Sequence, residues 1–135
     1  MLTGEIVIFF GHTFIKNENI YHIQNIQSIT QTPPNSLLFV KFKKENLELI
    51  EHLQLNNMRY ALEVDSILEA TYGEALGANY IVVQKHIAKK VQDVAQNYLF
   101  SAKVLVHVDS ESEITNHIEQ EIDGVIFSDA IVKII

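Results

Sequence analysis

Cysteine is absent from this chain of 135 residues, and its absence excludes several kinds of site at once. Without thiols the chain has no disulfide, no thiolate nucleophile and no cysteine-based zinc or iron-sulfur centre. Any metal would need histidine and carboxylate ligands. Because a chain of this length buries enough surface to hold a core without cross-links, we predict a single domain over residues 1–135.

Basic residues are also scarce. Ten Lys and Arg stand against 17 Asp and Glu, which leaves a net charge of -7, and Arg59 is the only arginine. Nucleic-acid binding draws most of its affinity from a basic face that neutralises phosphates, so the composition argues against a nucleic-acid partner.

Long apolar runs are missing too. No stretch approaches the roughly 18 uninterrupted apolar residues that a membrane span needs. The first residues, Met1 to Glu5, lack the basic and apolar segments of a secretory signal. We therefore expect no membrane association and a cytoplasmic location.

From residue 36 onward, short apolar runs alternate with amphipathic stretches of helical period, which is typical of βα repeats and a mainly parallel sheet. The predicted strands are Leu37 to Phe42, Tyr60 to Val64, Tyr80 to Val83, Val104 to Val108 and Gly124 to Phe127. We predict an α/β three-layer sandwich, flavodoxin-like or half-barrel-like. A half-barrel would leave apolar sheet uncovered unless it formed a homodimer, for which the apolar tail Ile131 to Ile135 offers an interface; a core strand is the favoured use of that tail.

The first 35 residues show a different pattern. Glu5 to Phe10 is a strand candidate, and a polar segment, residues 16–19, separates Thr13 to Ile15 from Ile20 to Ile23. These features predict an N-terminal antiparallel hairpin. Pro33 and Pro34 then mark a linker before the repeats.

Ligands of parallel sheets bind beyond the carboxyl ends of the strands, where helix N-termini also face anions. The polar residues at that edge give the candidate ligand-binding set: Lys41, Asp65, Ser66, Lys85, His107, Asp109, Ser110 and Ser128. The structural alternative is capping. Ser66 with Glu69 and Ser110 with Glu113 both match the capping box that starts a helix.

Three chemistries could be built at this edge. His107 and Asp109, with Asp65, Glu63 or Asp129, could bind a divalent metal, although no two-histidine motif supports this. Lys85 or Lys41 could form a Schiff base if desolvation lowered its pKa. Helix-start amides with Ser66, Ser110 or Ser128 could hold a phosphate, helped by a lysine.

Other motifs are absent or ordinary. The chain has no GxGxxG, GxxxxGK[ST] or GxSxG, which removes local support for dinucleotide, P-loop and α/β-hydrolase sites. Gly11-His12 is typical of a tight turn with a solvated imidazole. The histidines at 22, 52 and 117 show no functional pattern.

The segment Ile122 to Ile135, which reads IDGVIFSDAIVKII, resembles the phosphate-binding strand of (βα)8 barrels of the tryptophan synthase α-subunit type. That family has Asp-Gly-Val-Ile-Val-Gly-Ser-Ala there, and its Gly-Ser backbone helps to hold the substrate phosphate. Ser128 and Asp129 occupy the matching places in this chain, which lacks the glycine. The resemblance covers about a tenth of the chain and implies a phosphate near Ser128. In overall pattern the chain also resembles small bacterial α/β proteins, a likeness that implies no particular activity.

No catalytic constellation is legible in these patterns, and no cofactor is indicated. The first hypothesis is a non-catalytic binding or regulatory module for a small anionic or phosphorylated ligand, or for a protein partner. The alternative is a small enzyme, metal-dependent in one version, that uses the carboxylates and histidines at the carboxyl edge of the sheet.

Overall fold

The computed structural model describes residues 6–134, and its eight strands form one parallel sheet. The strands are β1 (Ile8–Phe10), β2 (Ile20–His22), β3 (Leu37–Lys41), β4 (Tyr60–Glu63), β5 (Tyr80–Val83), β6 (Lys103–His107), β7 (Gly124–Ile126) and β8 (Ile131–Lys133). The α-helices are α1 (Leu47–Leu55), α2 (Ile67–Ala75), α3 (Lys85–Asn97) and α4 (Ile114–Glu119). Across the sheet the strand order is β1-β7-β6-β5-β4-β3-β2-β8. The mainly parallel α/β fold is thus confirmed.

The predicted N-terminal hairpin is wrong. β1 pairs in parallel with β7, while β2 lies in parallel between β3 and β8. Thr13 to Ile15 form no strand, and Asn17 Nδ2 donates a hydrogen bond to the Phe9 carbonyl, so the connection returns along β1 without forming a ladder. Both strands are three residues long and take partners from distant parts of the chain, which a local polar loop does not reveal. Glu5, the first residue of the predicted strand, lies outside the described residues.

The sheet curls, and its two faces carry two separate apolar clusters. One cluster combines strand residues with helix residues such as Leu49, Leu53 and Val91. The other consists of strand residues with Ala130, and its fully buried members include Phe10, Ile20, Leu37, Phe39, Ala61, Val82, Leu105 and Ile126. The helices therefore cover one face, and the other face packs against itself.

A ring contact shows how strongly the sheet curls. The rings of Phe10 on β1 and Tyr80 on β5 meet edge to face with centroids 5.3 Å apart. In a flat sheet these strands, three positions apart, would be separated by about 14 Å. The half-barrel-like arrangement of the prediction is the one adopted.

The concave face is covered within one chain. Its residues Ile20, Leu105 and Ile126 are 0% exposed. The expectation that a half-barrel leaves apolar sheet uncovered is therefore wrong, and this face needs no second copy. The tail forms β8 beside β2, which confirms its use as a strand; Ile135 lies outside the described residues. A homodimer stays a prediction.

Two glycines mark close approaches that position the strands. A Cβ on Gly124 would lie 2.5 Å from the Ile8 carbonyl oxygen, so β1 packs tightly against β7. A Cβ on Gly73 would lie 3.2 Å from Leu62 Cδ2, which brings α2 close to the sheet. None of the helices in residues 6–134 combines the length and apolar character needed to cross a membrane.

Candidate functional site

Polar residues follow the concave core at one end of the sheet. Along an extended strand every second side chain faces the same side, so the residue two places after a concave core residue continues that face toward the carboxyl end. On all eight strands this residue is polar; on β1 it is His12, which the turn at Gly11 takes out of the extended backbone, and the other seven strands each contribute one residue. We call the resulting set the polar mouth: His22, Lys41, Glu63, Gln84, His107, Ser128 and Lys133.

One side of the polar mouth is a cationic cavity of about 460 Å³. It is lined by His22, Ile23, Gln24, Lys41, Lys43, Glu45, Asn46 and Lys133. β2, β3 and β8 bring these residues together because β2 pairs with both other strands. Three lysines against one lining carboxylate make this cavity positive in a chain whose net charge is -7.

The lysines of the cationic cavity are only partly compensated. Lys41 Nζ lies 3.7 Å from Glu63 Oε1. Within residues 6–134, neither Lys43 nor Lys133 has an ion-pair partner. Burial first, and then the three lysine charges, lower the pKa of His22. The imidazole is therefore held neutral beside a cluster of ammonium groups.

The opposite side of the polar mouth holds a serine-histidine pair. His107 Nε2 and Ser128 Oγ are 2.8 Å apart and join the ends of β6 and β7. Asp109 Oδ1 lies 4.0 Å from the other ring nitrogen, Nδ1. The His107 side chain is 20% exposed and Ser128 is exposed, so a small molecule can reach the pair.

Lys85 lies near this pair but is neutralised by carboxylates. Its Nζ is 2.7 Å from Glu113 Oε1 and 3.7 Å from Asp109 Oδ2. The hydrogen bond from Lys85 and those from the backbone of Asp109 and Ser110 lower the pKa of Glu113 to about 2. The same hydrogen bond to Glu113 raises the pKa of Lys85, so Lys85 keeps its proton, contrary to what a Schiff-base lysine requires.

One of the two expected capping boxes is complete, and the other is present in part, because the Glu69 carboxylate accepts from the Asp65 amide and not from that of Ser66. The Glu69 amide donates to Ser66 Oγ at 3.1 Å, and Glu69 Oε1 accepts from the Asp65 amide at 2.8 Å. The second box uses Ser110 with Glu113, at the start of the 3-10 turn before α4. Among the predicted site residues, Asp65, Ser66 and Ser110 thus serve helix starts.

His12 is not the solvated imidazole that its turn position suggests. Its side chain is 4% exposed, and Nε2 lies 2.8 Å from Glu111 Oε2. Nδ1 accepts from the Phe14 amide at 3.2 Å, and the ring meets Phe127 edge to face. Gly11 precedes it with a φ of 80° and no room for a Cβ beside Ala130. His12 therefore anchors the loop after β1 at the carboxyl end of the sheet.

The structure divides the predicted site into two groups. His107, Ser128, Asp109 and Lys85 lie together, whereas Lys41 belongs to the cationic cavity with residues that sequence reasoning missed. His22 and Lys133 are the main omissions. Each stands two places after an isoleucine of the concave face, a pattern present in the sequence, but only the pairing of β2 with β8 brings the two side chains to one cavity. His117, also considered ordinary, is 3% exposed and buried in α4.

The described residues offer no group of side chains that supports the hypothesis of a metal site. Within residues 6–134, no group of three His, Asp or Glu side chains is arranged to hold a metal ion. Two further cavities, of about 360 and 420 Å³, lie at the amino ends of the strands, and neither gathers charge of one sign.

No protein-family model matches this chain, and no curated protein matches it at a significant level.

Proposed function

We propose that this chain is a binding module for a small anionic ligand, with a phosphorylated metabolite as the preferred class. The observation that carries the proposal is the convergence of Lys41, Lys43 and Lys133 on one cavity of an otherwise acidic protein. The ligand would lie in the cationic cavity at the carboxyl end of β2, β3 and β8.

The electrostatics favour an anion in this cavity. Three ammonium groups around one space repel each other, and Glu63 offsets only Lys41 directly. A bound anion would relieve this repulsion and give Lys43 and Lys133 charge-assisted hydrogen bonds. The neutral His22 would supply one further polar contact.

The dimensions of the cavity suit a small metabolite. A volume of about 460 Å³ lies within the range of about 300–1,000 Å³ that is common for ligand pockets. The likeness of residues 122–135 to a phosphate-binding strand points to the same chemical class, although that strand ends on the Ser128 side of the polar mouth. A regulatory role would follow if ligand occupancy altered the surface around the polar mouth.

Calorimetry tests this proposal. Inorganic phosphate, small phosphomonoesters and small carboxylates are titrated into the protein at one fixed, low ionic strength, since salt screens such contacts. We expect at least one phosphomonoester to bind. Lys43→Gln and Lys133→Gln should each weaken it by about tenfold or more, because a hydrogen bond to a charged group is worth about 1.5–3 kcal/mol.

Two lysines outside the cavity serve as controls. Lys44→Gln removes an exposed neighbour of Lys43, and Lys90→Gln removes an exposed lysine of α3. Both should bind like the wild type. The proposal fails if no anion of the panel binds, or if the control variants lose as much affinity as the cavity variants.

A further inference from the structure

The serine-histidine pair has a use that anion binding does not explain. Ser128, His107 and Asp109 follow one another in the order hydroxyl, imidazole, carboxylate, with separations of 2.8 Å and 4.0 Å. This is the order in which a nucleophile, its base and the group that orients the base stand in acyl-transfer sites of unrelated folds.

We infer that Ser128 is a nucleophile, with His107 as its general base, and that it takes the acyl group of a small carboxylic ester. This activity goes beyond the proposed binding function and does not depend on the cationic cavity. Asp109 acts as a positioning residue.

The tautomer of His107 follows from its neighbours. A carboxylate beside Nδ1 favours the proton on that nitrogen, which leaves Nε2 to accept the hydrogen bond from the Ser128 hydroxyl. The separation of 4.0 Å exceeds a hydrogen bond, so the Asp109 side chain must move closer by about 1 Å to make one. Such contacts are often loose before a substrate binds. The Lys85 ammonium lies 3.7 Å from the other oxygen of the same carboxylate and helps to keep Asp109 at the carboxyl end of the sheet.

The reaction balances without another reactant than water. Ser128 Oγ attacks the ester carbonyl while its proton passes to His107 Nε2, and the tetrahedral adduct collapses as the alcohol leaves with that proton. The products are an acyl-Ser128 ester and a free alcohol. A water molecule, deprotonated by His107, then releases the carboxylic acid and restores the serine.

The pair is accessible to such a substrate. Ser128 is exposed, at the start of the 3-10 turn Ser128–Ala130 that leads from β7 to β8. His107 is 20% exposed and continues the concave face of β6 two residues after the buried Leu105. The base is thus fixed by the core while the nucleophile faces solvent.

An activated ester tests the inference. The protein is incubated with p-nitrophenyl acetate, the release of p-nitrophenolate is followed, and the acetylated residue is identified by peptide mass spectrometry. We expect one acetyl group on Ser128. His107→Gln should slow its formation by about 100-fold or more, the usual contribution of a general base.

Matched variants decide between reactivity and a structural hydrogen bond. Ser128→Ala should abolish the acetylation. Ser112→Ala replaces another exposed serine, in the turn after β6, and should be acetylated like the wild type. Melting curves verify that all variants fold. The site of acetylation in the wild-type protein tests the inference even if a variant fails to fold. Acetyl groups on lysines alone, or an equal rate in Ser128→Ala and wild type, would overturn the inference.

Discussion

Replacing Gly124 by alanine tests the strand order at the edge of the sheet. The added Cβ would lie 2.5 Å from the Ile8 carbonyl oxygen, 2.7 Å from Ile8 Cβ and 2.9 Å from Leu105 Cδ2. Two of these three neighbours belong to β1, and its backbone oxygen cannot rotate away, so β1 must move as a whole. Overpacking of this kind costs about 1–3 kcal/mol.

Thermal unfolding measures the effect. For a domain of this size a loss of 1 kcal/mol lowers Tm by about 3–5 °C, so Gly124→Ala should melt about 3–15 °C below the wild type. The control is Gly73→Ala in α2. Its Cβ would meet a side-chain methyl, Leu62 Cδ2, at 3.2 Å and no backbone atom, and alanine gains up to about 1 kcal/mol of helix propensity, so Gly73→Ala should cost less than Gly124→Ala.

Comparing the two variants separates the steric cost of the added Cβ at residue 124 from the general effect of replacing glycine by alanine. Where a glycine position has room, alanine commonly stabilises a protein by about 0.4–1 kcal/mol through the unfolded chain. A Gly124→Ala protein as stable as the wild type would therefore refute the close packing of β1 on β7.

Two further predictions concern Tyr60 and Glu113. Tyr60 is 0% exposed, burial raises its pKa to about 12, and its hydroxyl donates to the Leu76 carbonyl at 2.8 Å. Tyr60→Phe should therefore lower the free energy of unfolding, measured in urea, by about 1–2 kcal/mol. The control Tyr98→Phe, at a residue that is 77% exposed, should cost nothing measurable. Equal costs would contradict the buried bond. The pKa of Glu113 is lowered from 4.5 to about 2, so the stability it contributes is complete above pH 4.5 and is lost as pH falls through about 2. Unfolding followed over this range should show a smaller acid loss in Glu113→Gln; an unchanged pH profile would count against the ion pair with Lys85.

The sequence predicted the elements well where local patterns determine them. The apolar run Tyr80 to Val83 is a strand buried between neighbours, and Ser66 with Glu69 caps α2 as its spacing indicates. Such features depend on residues a few places apart. Their physical causes are therefore present in any short window of the chain.

Features set by distant partners were predicted poorly. The segments before and after the loop of residues 16–19 suggested a hairpin, yet β1 joins β7 and β2 joins β3 and β8. A strand of three residues carries too little pattern to specify its neighbour. The same limit hid the cationic cavity, because Lys133 reaches His22 only through the pairing of β8 with β2.

The candidate site was predicted in part. Parallel strands place their carboxyl ends together, and the structure does bring the predicted residues His107 and Ser128 within 2.8 Å of each other. Capping residues such as Ser66 and Asp65 entered the list because a helix start and an anion site use the same residue types. The alternation of concave residues along β4 would have set aside Ser66, which is out of phase with Ala61 and Glu63, but not Asp65, which is in phase with them.

The most direct test of the account is the titration of His22 by NMR, with and without saturating phosphomonoester. The ligand should neutralise the surrounding lysine charges and so raise the pKa of His22, while the signals of the exposed His86 stay in place when ligand is added. A pKa of His22 that does not change, although calorimetry shows the anion to be bound, would contradict the assignment of the cationic cavity as the binding site.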